Sequence, residues 1–259
     1  MANHVHGLGT DPQTGDVYVA THTGLFRIVA PDPGAAPVTS LGEPLASLRQ
    51  DTMGFTMVEG AMFGSGHPDP SLALPPNLGF ITSTDGGFTW QNVSTSHAYD
   101  FHDLAVVDDG LVTTIYGYNA QDGRVNASHD GGKTWMPQAK VELRDLTADT
   151  IGTVYATTAA GLAQSDDGGA TFTIAETPAA FYLVQAVPGS TALVGITSDN
   201  AVWLKAAGAS WQRTGEVPRE AEAMLYTVDP TDAMVIADAE QVAISYNLGA
   251  TWTTLVRLS

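Results

Sequence analysis

Cysteine is absent from the 259-residue sequence, which excludes disulfides, thiolate metal sites, iron–sulfur clusters and cysteine nucleophiles. That absence leaves the compartment open, because a domain of this size can be stable outside the cell without cross-links. Basic residues are scarce: 10 Lys and Arg face 28 Asp and Glu, a formal charge of −18, which repels phosphate backbones and argues against a nucleic-acid partner. No apolar run reaches the roughly 18 residues needed to cross a bilayer, so no transmembrane segment is expected. The opening MANHVHGLG also lacks the basic and apolar regions of a signal peptide. Met1 and Ala2 read as replacing a removed export signal, and the expected location is extracytoplasmic or secreted. Charged residues make up only 15% and apolar residues 44%, enough for a core and too apolar for a disordered chain.

What is present is a repeat. STDGGFTW ends at Trp90, SHDGGKTW at Trp135, SDDGGATF at Phe172, LKAAGASW at Trp211 and SYNLGATW at Trp252. The spacings of 45, 37, 39 and 41 residues are those of a propeller or solenoid. Each copy lies between strand-like runs and reads as a hairpin turn. Asp85, Asp130, Asp167 and Asn247 are suited to accept backbone N–H groups two residues on, and Gly87, Gly132, Gly169 and Gly249 to supply positive φ. A second match lays VYVATHTGLFRI, from Val17, over VYATTAAGLAQS, from Val154. Each unit then holds four short strands, and six units begin near residues 3, 45, 99, 140, 179 and 219. The expectation is an all-β, six-bladed β-propeller of four-stranded antiparallel blades: one domain, with blades near 3–44, 45–98, 99–139, 140–178, 179–218 and 219–259. The Pro-rich segments APDPGAAP and HPDPSLALPPN read as loops.

The pattern S-x-D-x-G-x-T-W resembles the Asp-box, or BNR repeat, of sialidases, sortilin-like receptors, photosystem assembly factors and many bacterial exported propellers. HVHGLG, THTGLF, SGHPDP and DFHDL further resemble small bacterial propellers labelled as glycosyl hydrolases. The resemblance implies the fold and a structural role for the box, and leaves function to the site. A sialidase would bring three arginines, a Tyr–Glu pair and an Asp acid. Of the seven arginines here, Arg27 falls on a third strand instead of an innermost one, and only Arg144 aligns with the channel.

In a propeller blade the start of the first strand and the end of the second share one face, here called the top, and the Asp-box hairpins lie on the bottom. Aligning the innermost strands puts His6, Met53, His102, Arg144, Tyr182 and Met224 in one ring, and His4, Asp51, Asp100, Glu142, Ala180 and Glu222 in the next. His22 follows the second strand of blade one, where blade four has Ala159, and His67 sits at the matching end in blade two. Five of seven histidines thus map to the top of three consecutive blades.

Neutral imidazoles at i and i+2 on one strand, joined by side chains from adjacent strands, converge on an ion. The leading expectation is a metal site of His4, His6, His22, His67, His102 and Met53, centred on His6 and His102. The soft thioether favours copper within it. Caps on Asp51, Asp100 and Asp103 are the plainer use of the same histidines. A glycoside hydrolase working through Asp51, Asp100, Glu142 and Glu222 is the alternative, and a protein-interaction scaffold using the apolar PSLALPPN loop is a third. The partners implied are a metal ion and a small molecule or protein at the top face. Tyr116, Tyr118 and Tyr182 are the aromatic residues that map there. His97 and His129 map to a blade linker and a box turn, and Asn92 and Asn126 open N-x-S sequons.

Overall fold

The computed structural model describes residues 4–30, 36–94, 97–108 and 112–258. Met1 and Ala2, and most of the APDPGAAP loop, lie outside the described residues. Blade one is β1 (Val5–Thr10), β2 (Val17–Thr21) and β3 (Gly24–Ile28), and blade two is β4 (Asp51–Val58), β5 (Ala61–His67), β6 (Ile81–Ser83) and β7 (Gln91–Asn92). Blade three is β8 (Phe101–Asp108), β9 (Thr113–Asn119), β10 (Arg124–Ser128) and β11 (Met136–Lys140). Blade four is β12 (Asp145–Ala148), β13 (Val154–Thr158), β14 (Gly161–Ser165) and β15 (Thr173–Ile174). Blade five is β16 (Phe181–Ala186), β17 (Leu193–Thr197), β18 (Ala201–Lys205) and β19 (Trp211–Glu216), and blade six is β20 (Ala223–Thr227), β21 (Ala233–Ala237), β22 (Gln241–Ser245) and β23 (Thr253–Arg257). Neighbouring strands are antiparallel and consecutive in sequence. The innermost strands contact one another in the order β1, β4, β8, β12, β16, β20 and back to β1, so the ring closes.

Blade one departs from the expected four strands. Its outer segment crosses to the last blade, where Val38 pairs in parallel with Val256 and exchanges hydrogen bonds with Leu255 O and Arg257 N. The two ends of the ring are further joined by one apolar layer containing Val5, Leu8, Val19, Leu225, Val235 and Val256. Closure of the ring buries this layer on both sides, which stabilises the last blade against the first alongside the Val38 bridge.

The Asp-boxes are built as hydrogen-bonded turns, with one correction to the sequence reading. In blade three the Asp130 carboxylate accepts the N–H of Lys133 and Thr134 and the hydroxyl of Thr134, so the bonds reach three and four residues on, and not two. The buried Ser128 hydroxyl donates to Asp130 and accepts the N–H of Gly132. Asp85, Asp167 and Asn247 repeat the pattern onto Thr89, Thr171 and Thr251. These hydrogen bonds hold the carboxyls of Asp85, Asp130 and Asp167 down at about 2. Gly132 has φ +88°, and a Cβ there would meet the Phe80 ring at 2.2 Å. The box therefore docks its turn on the neighbouring blade. Trp135 completes the contact by packing edge-on against Phe80 and at a tilt against Phe101. Blade five, whose box has Ala206 in the Asp position, makes its turn with an Ala209 N–H to Ala206 O bond.

Adjacent inner strands are also stapled by side chains. Asp103 accepts the N–H of Leu146 at 2.6 Å, and Asp145 accepts that of Val184 at 2.5 Å. Gln185 spans to Tyr226, and Glu222 accepts the Val5 N–H at 2.9 Å across the closure. Among the described residues no helix is long and apolar enough to cross a membrane.

Candidate metal centre

The inner strands are irregular at their top ends. The register shifts between Val5 and Gly7, Thr52 and Gly54, Phe101 and Asp103, and Phe181 and Leu183. Each shift leaves one extra residue, namely His6, Met53, His102 and Tyr182, all members of the ring deduced by alignment. A bulge re-aims its side chain and tightens local twist, a device common beside functional sites. Glycine makes the crowding sterically feasible: a Cβ on Gly7 would lie 2.7 Å from Phe55 O, and one on Gly54 2.7 Å from Phe101 O. Blade one's inner strand thus presses close to blade two's, and blade two's to blade three's.

His22 is held by its turn. The Thr21 hydroxyl donates to Gly24 O and accepts the Thr23 N–H, fixing the β2–β3 hairpin with the imidazole at its tip. Thr158 makes the same two bonds to Gly161 and Ala160 in blade four, where Ala159 replaces the histidine. His22 is therefore not needed for the turn.

At the mouth three ligand-type side chains meet. His22 Nδ1 lies 3.1 Å from His6 Nε2 and 3.0 Å from Asp51 Oδ2, and His6 Nε2 lies 3.3 Å from Asp51 Oδ1. The last contact lacks hydrogen-bond alignment, so Asp51 Oδ1, sealed from water, has no hydrogen-bond partner. Burial of the His6 ring lowers its pKa, as do the charges of His22 and His4, against the opposing pull of Asp51. For Asp51, burial opposes ionisation, but the imidazoles of His6 and His22 outweigh it and hold the carboxyl at about 2. The arrangement is a neutral imidazole beside a permanent carboxylate, the protonation state that metal coordination requires.

The remaining histidines sit around this group. His67 Nδ1 is 3.8 Å from Asp51 Oδ2 and its Nε2 3.8 Å from Asp100 Oδ2, while His102 Nε2 is 3.4 Å from Asp100 Oδ2. His4 pairs with Glu222 at 3.2 Å, and its ring lies 5.0 Å from that of His6. His6 and His102, treated as one centre in the sequence reading, thus address different carboxylates. Met53 occupies the bulge of β4 between them.

Other sequence candidates fall elsewhere. Arg27 pairs with the buried Asp16, which also accepts the Ala30 N–H. Tyr116 is 3% exposed and belongs to the core between blades three and four, so it is no surface platform. Tyr182 accepts the Arg144 guanidinium over its ring at 4.9 Å, and its hydroxyl accepts the Ala221 N–H. Glu142, Arg144 and Tyr182 line a shallow cavity on the far side of the mouth. His97 is tied to Asn77 by reciprocal side-chain to backbone bonds, and His129 contacts the Thr114 hydroxyl. Asn126 is 3% exposed, so its sequon is inaccessible in the folded protein. Leu72 and Leu74 of the PSLALPPN loop are exposed.

The sequence reading passed over Asp145. Burial pushes Asp103 up to about 7, and burial together with the Asp103 charge pushes Asp145 well above the carboxylate range. The signal was available: HDL and RDL place an aspartate immediately before the same core leucine in successive blades.

The blades, boxes and mouth together define the chain as a six-bladed Asp-box (BNR) propeller carrying a His6, His22 and Asp51 group with the spacing to hold a metal ion. No protein-family model matches it. The vacuolar protein sorting/targeting protein PEP1 of Saccharomyces cerevisiae is 30% identical over 103 residues, 38% of this chain, and the match spans only 6% of that protein. Among solved structures, YCF48 bound to a D1 peptide aligns with TM-score 0.52 at 13% identity, over 98% of this chain and 81% of that one. A chain of a nidogen/laminin complex aligns with TM-score 0.62 at 12% identity, over 94% of this chain and 91% of that one. A GH74 enzyme of Niastella koreensis aligns with TM-score 0.61 at 17% identity, over 97% of this chain and 37% of that one. At such identities the likeness is one of fold.

Proposed function

We propose that this is an exported metal-binding propeller whose ion, copper in this reading, is held at the top mouth by His6, His22 and Asp51. The observation that carries the reading is that His22 Nδ1 stands 3.1 Å from His6 Nε2 and 3.0 Å from Asp51 Oδ2, while His6 Nε2 stands 3.3 Å from the other carboxylate oxygen, Oδ1, so that one donor atom from each residue lies within 4.8 Å of the other two. Neighbouring ligand atoms around an ion with bonds of about 2.0 Å stand about 2.8 Å apart in the tetragonal geometry that Cu²⁺ prefers and about 3.3 Å apart in a tetrahedron. Hydrogen bonding alone satisfies the group poorly, because a proton on His22 Nδ1 must serve both His6 and Asp51, and a proton on both rings sets N–H against N–H. One cation serves both ring nitrogens and the carboxylate together.

Two imidazoles and a carboxylate form a borderline donor set for which Cu²⁺ outcompetes the other first-row divalent ions. His4 stands beside the set as a further donor, and a fourth position left to water gives an open site. Binding or sequestration is the minimal function. The glycoside hydrolase alternative is weakened by charge state: a general acid needs a raised pKa, whereas Asp51 lies at about 2 and Asp100 is also lowered, by His102 against its burial.

The test is calorimetric titration with Cu²⁺ and Zn²⁺ of the wild type and of a His6→Ala, His22→Ala double variant. The expected result is a Cu²⁺ equivalent bound tighter than about 10 µM, more strongly than Zn²⁺, and missing from the variant. Equal affinity in the variant would reduce the histidines to caps on carboxylates.

A further inference from the structure

We propose a second ion site one blade further round, formed by Asp100, His67 and His102 with Met53 beside them. The proposal rests on the metal reading of the first group and extends it. The pairing registers carry it. Val5 pairs with Thr21 and Thr52 with Gly66, which makes His22 equivalent to His67 and His6 equivalent to Met53. Phe101 pairs with Asn119, which makes Asp100 equivalent to Asp51. Turning the first set by one blade therefore gives Met53, His67 and Asp100, and the bulge residue of blade three adds His102.

The contacts agree with that rotation. Asp100 is 9% exposed and its Oδ1, shut away from water, has no hydrogen-bond partner. Its Oδ2 faces His102 Nε2 at 3.4 Å and His67 Nε2 at 3.8 Å. His67 turns its other nitrogen to Asp51 at 3.8 Å. A neutral imidazole has one N–H, so it can answer only one of two carboxylates, and 3.8 Å is too long for a hydrogen bond to either. Gaps of equal length on both sides of one ring suit cations in both places. The His67 and His102 side chains are 42% and 36% exposed, free to swing onto the fixed carboxylate, which makes this a wider group than the first, whose donor atoms already lie within 4.8 Å of one another. With a thioether where the first set has His6, the second site is softer, a donor set that holds copper in preference to magnesium or calcium.

The experiment is calorimetric and equilibrium-dialysis titration with Cu²⁺ of the wild type, His102→Ala, Met53→Leu and the His6→Ala, His22→Ala variant, with circular dichroism confirming the fold. Two equivalents in the wild type, one in His102→Ala, and a second equivalent weakened about tenfold in Met53→Leu would support the proposal. One wild-type equivalent, abolished by the His6 and His22 changes and untouched by His102→Ala, would overturn the second site and leave the first standing. No bound copper would overturn both, and one equivalent abolished by His102→Ala alone would overturn the first site and leave the second standing.

Discussion

Replacing Ser128 with alanine separates the box face of the propeller from its mouth. The Ser128 side chain is buried, and its hydroxyl accepts the Gly132 N–H at 2.9 Å while donating to Asp130 at 2.9 Å. Alanine leaves the Gly132 N–H without an acceptor. The peptide cannot turn toward water, because Gly132 is held at φ +88° with its Cα against Phe80. An orphaned buried donor costs about 1 to 3 kcal/mol, and that is the expected loss. Urea unfolding should show a lower midpoint with an unchanged slope, since the surface exposed on unfolding stays the same. Ser128 pairs with Ile115, and Ile115 with Val106, so the change lies at the opposite end of blade three from His102. Cu²⁺ affinity should accordingly match the wild type. An unchanged midpoint would refute the accounting for the box, and altered copper binding at full stability would refute the assignment of faces.

Three further outcomes follow from the same contacts. Arg27→Ala should leave metal binding intact but deprive Asp16 of its cation; screening of the partly exposed arginine keeps the loss to about 1 to 2 kcal/mol, read as a lower Tm, and an unchanged Tm would contradict it. Asp145→Asn keeps an acceptor for Val184 and removes a buried acid. A raised folded pKa means that stability is fully present below the unfolded value of about 3.8 and is lost as pH rises through the folded one, so the variant should gain on the wild type in urea at pH 8 and not at pH 4. Because burial keeps His6 neutral below the ordinary imidazole value of 6.5, copper affinity should persist to about pH 6 and fall beneath it as imidazoles protonate. Affinity independent of pH between 4 and 7 would contradict imidazole ligation.

Local chemistry made the propeller legible. Gly132 and Trp135 sit in a turn whose geometry is written in eight consecutive residues, and five copies fix the period. His22 was legible for a related reason: blade four performs the same turn with Ala159, so the histidine is surplus to folding. The bulges at His6, Met53 and His102 coincide with the aligned ring because the core leucine or phenylalanine two positions on must face the neighbouring blade. What the sequence did not reveal depends on contacts across the ring. Val38 leaves blade one for Val256 because closure brings the ends together, a fact of curvature. The division of histidines between Asp51 and Asp100 depends on how far each ring reaches from its strand, which residue spacing does not encode. The His97–Asn77 clamp joins two positions of a long loop with no periodic signature.

The central claim is that His6, His22 and Asp51 coordinate one ion. Anomalous diffraction at the copper edge from crystals equilibrated with Cu²⁺ tests it without recourse to variants. The account predicts a peak at the mouth within about 2.0 to 2.3 Å of His6 Nε2, His22 Nδ1 and one oxygen of Asp51. No peak there, with the three side chains retaining their present hydrogen bonds, would contradict it.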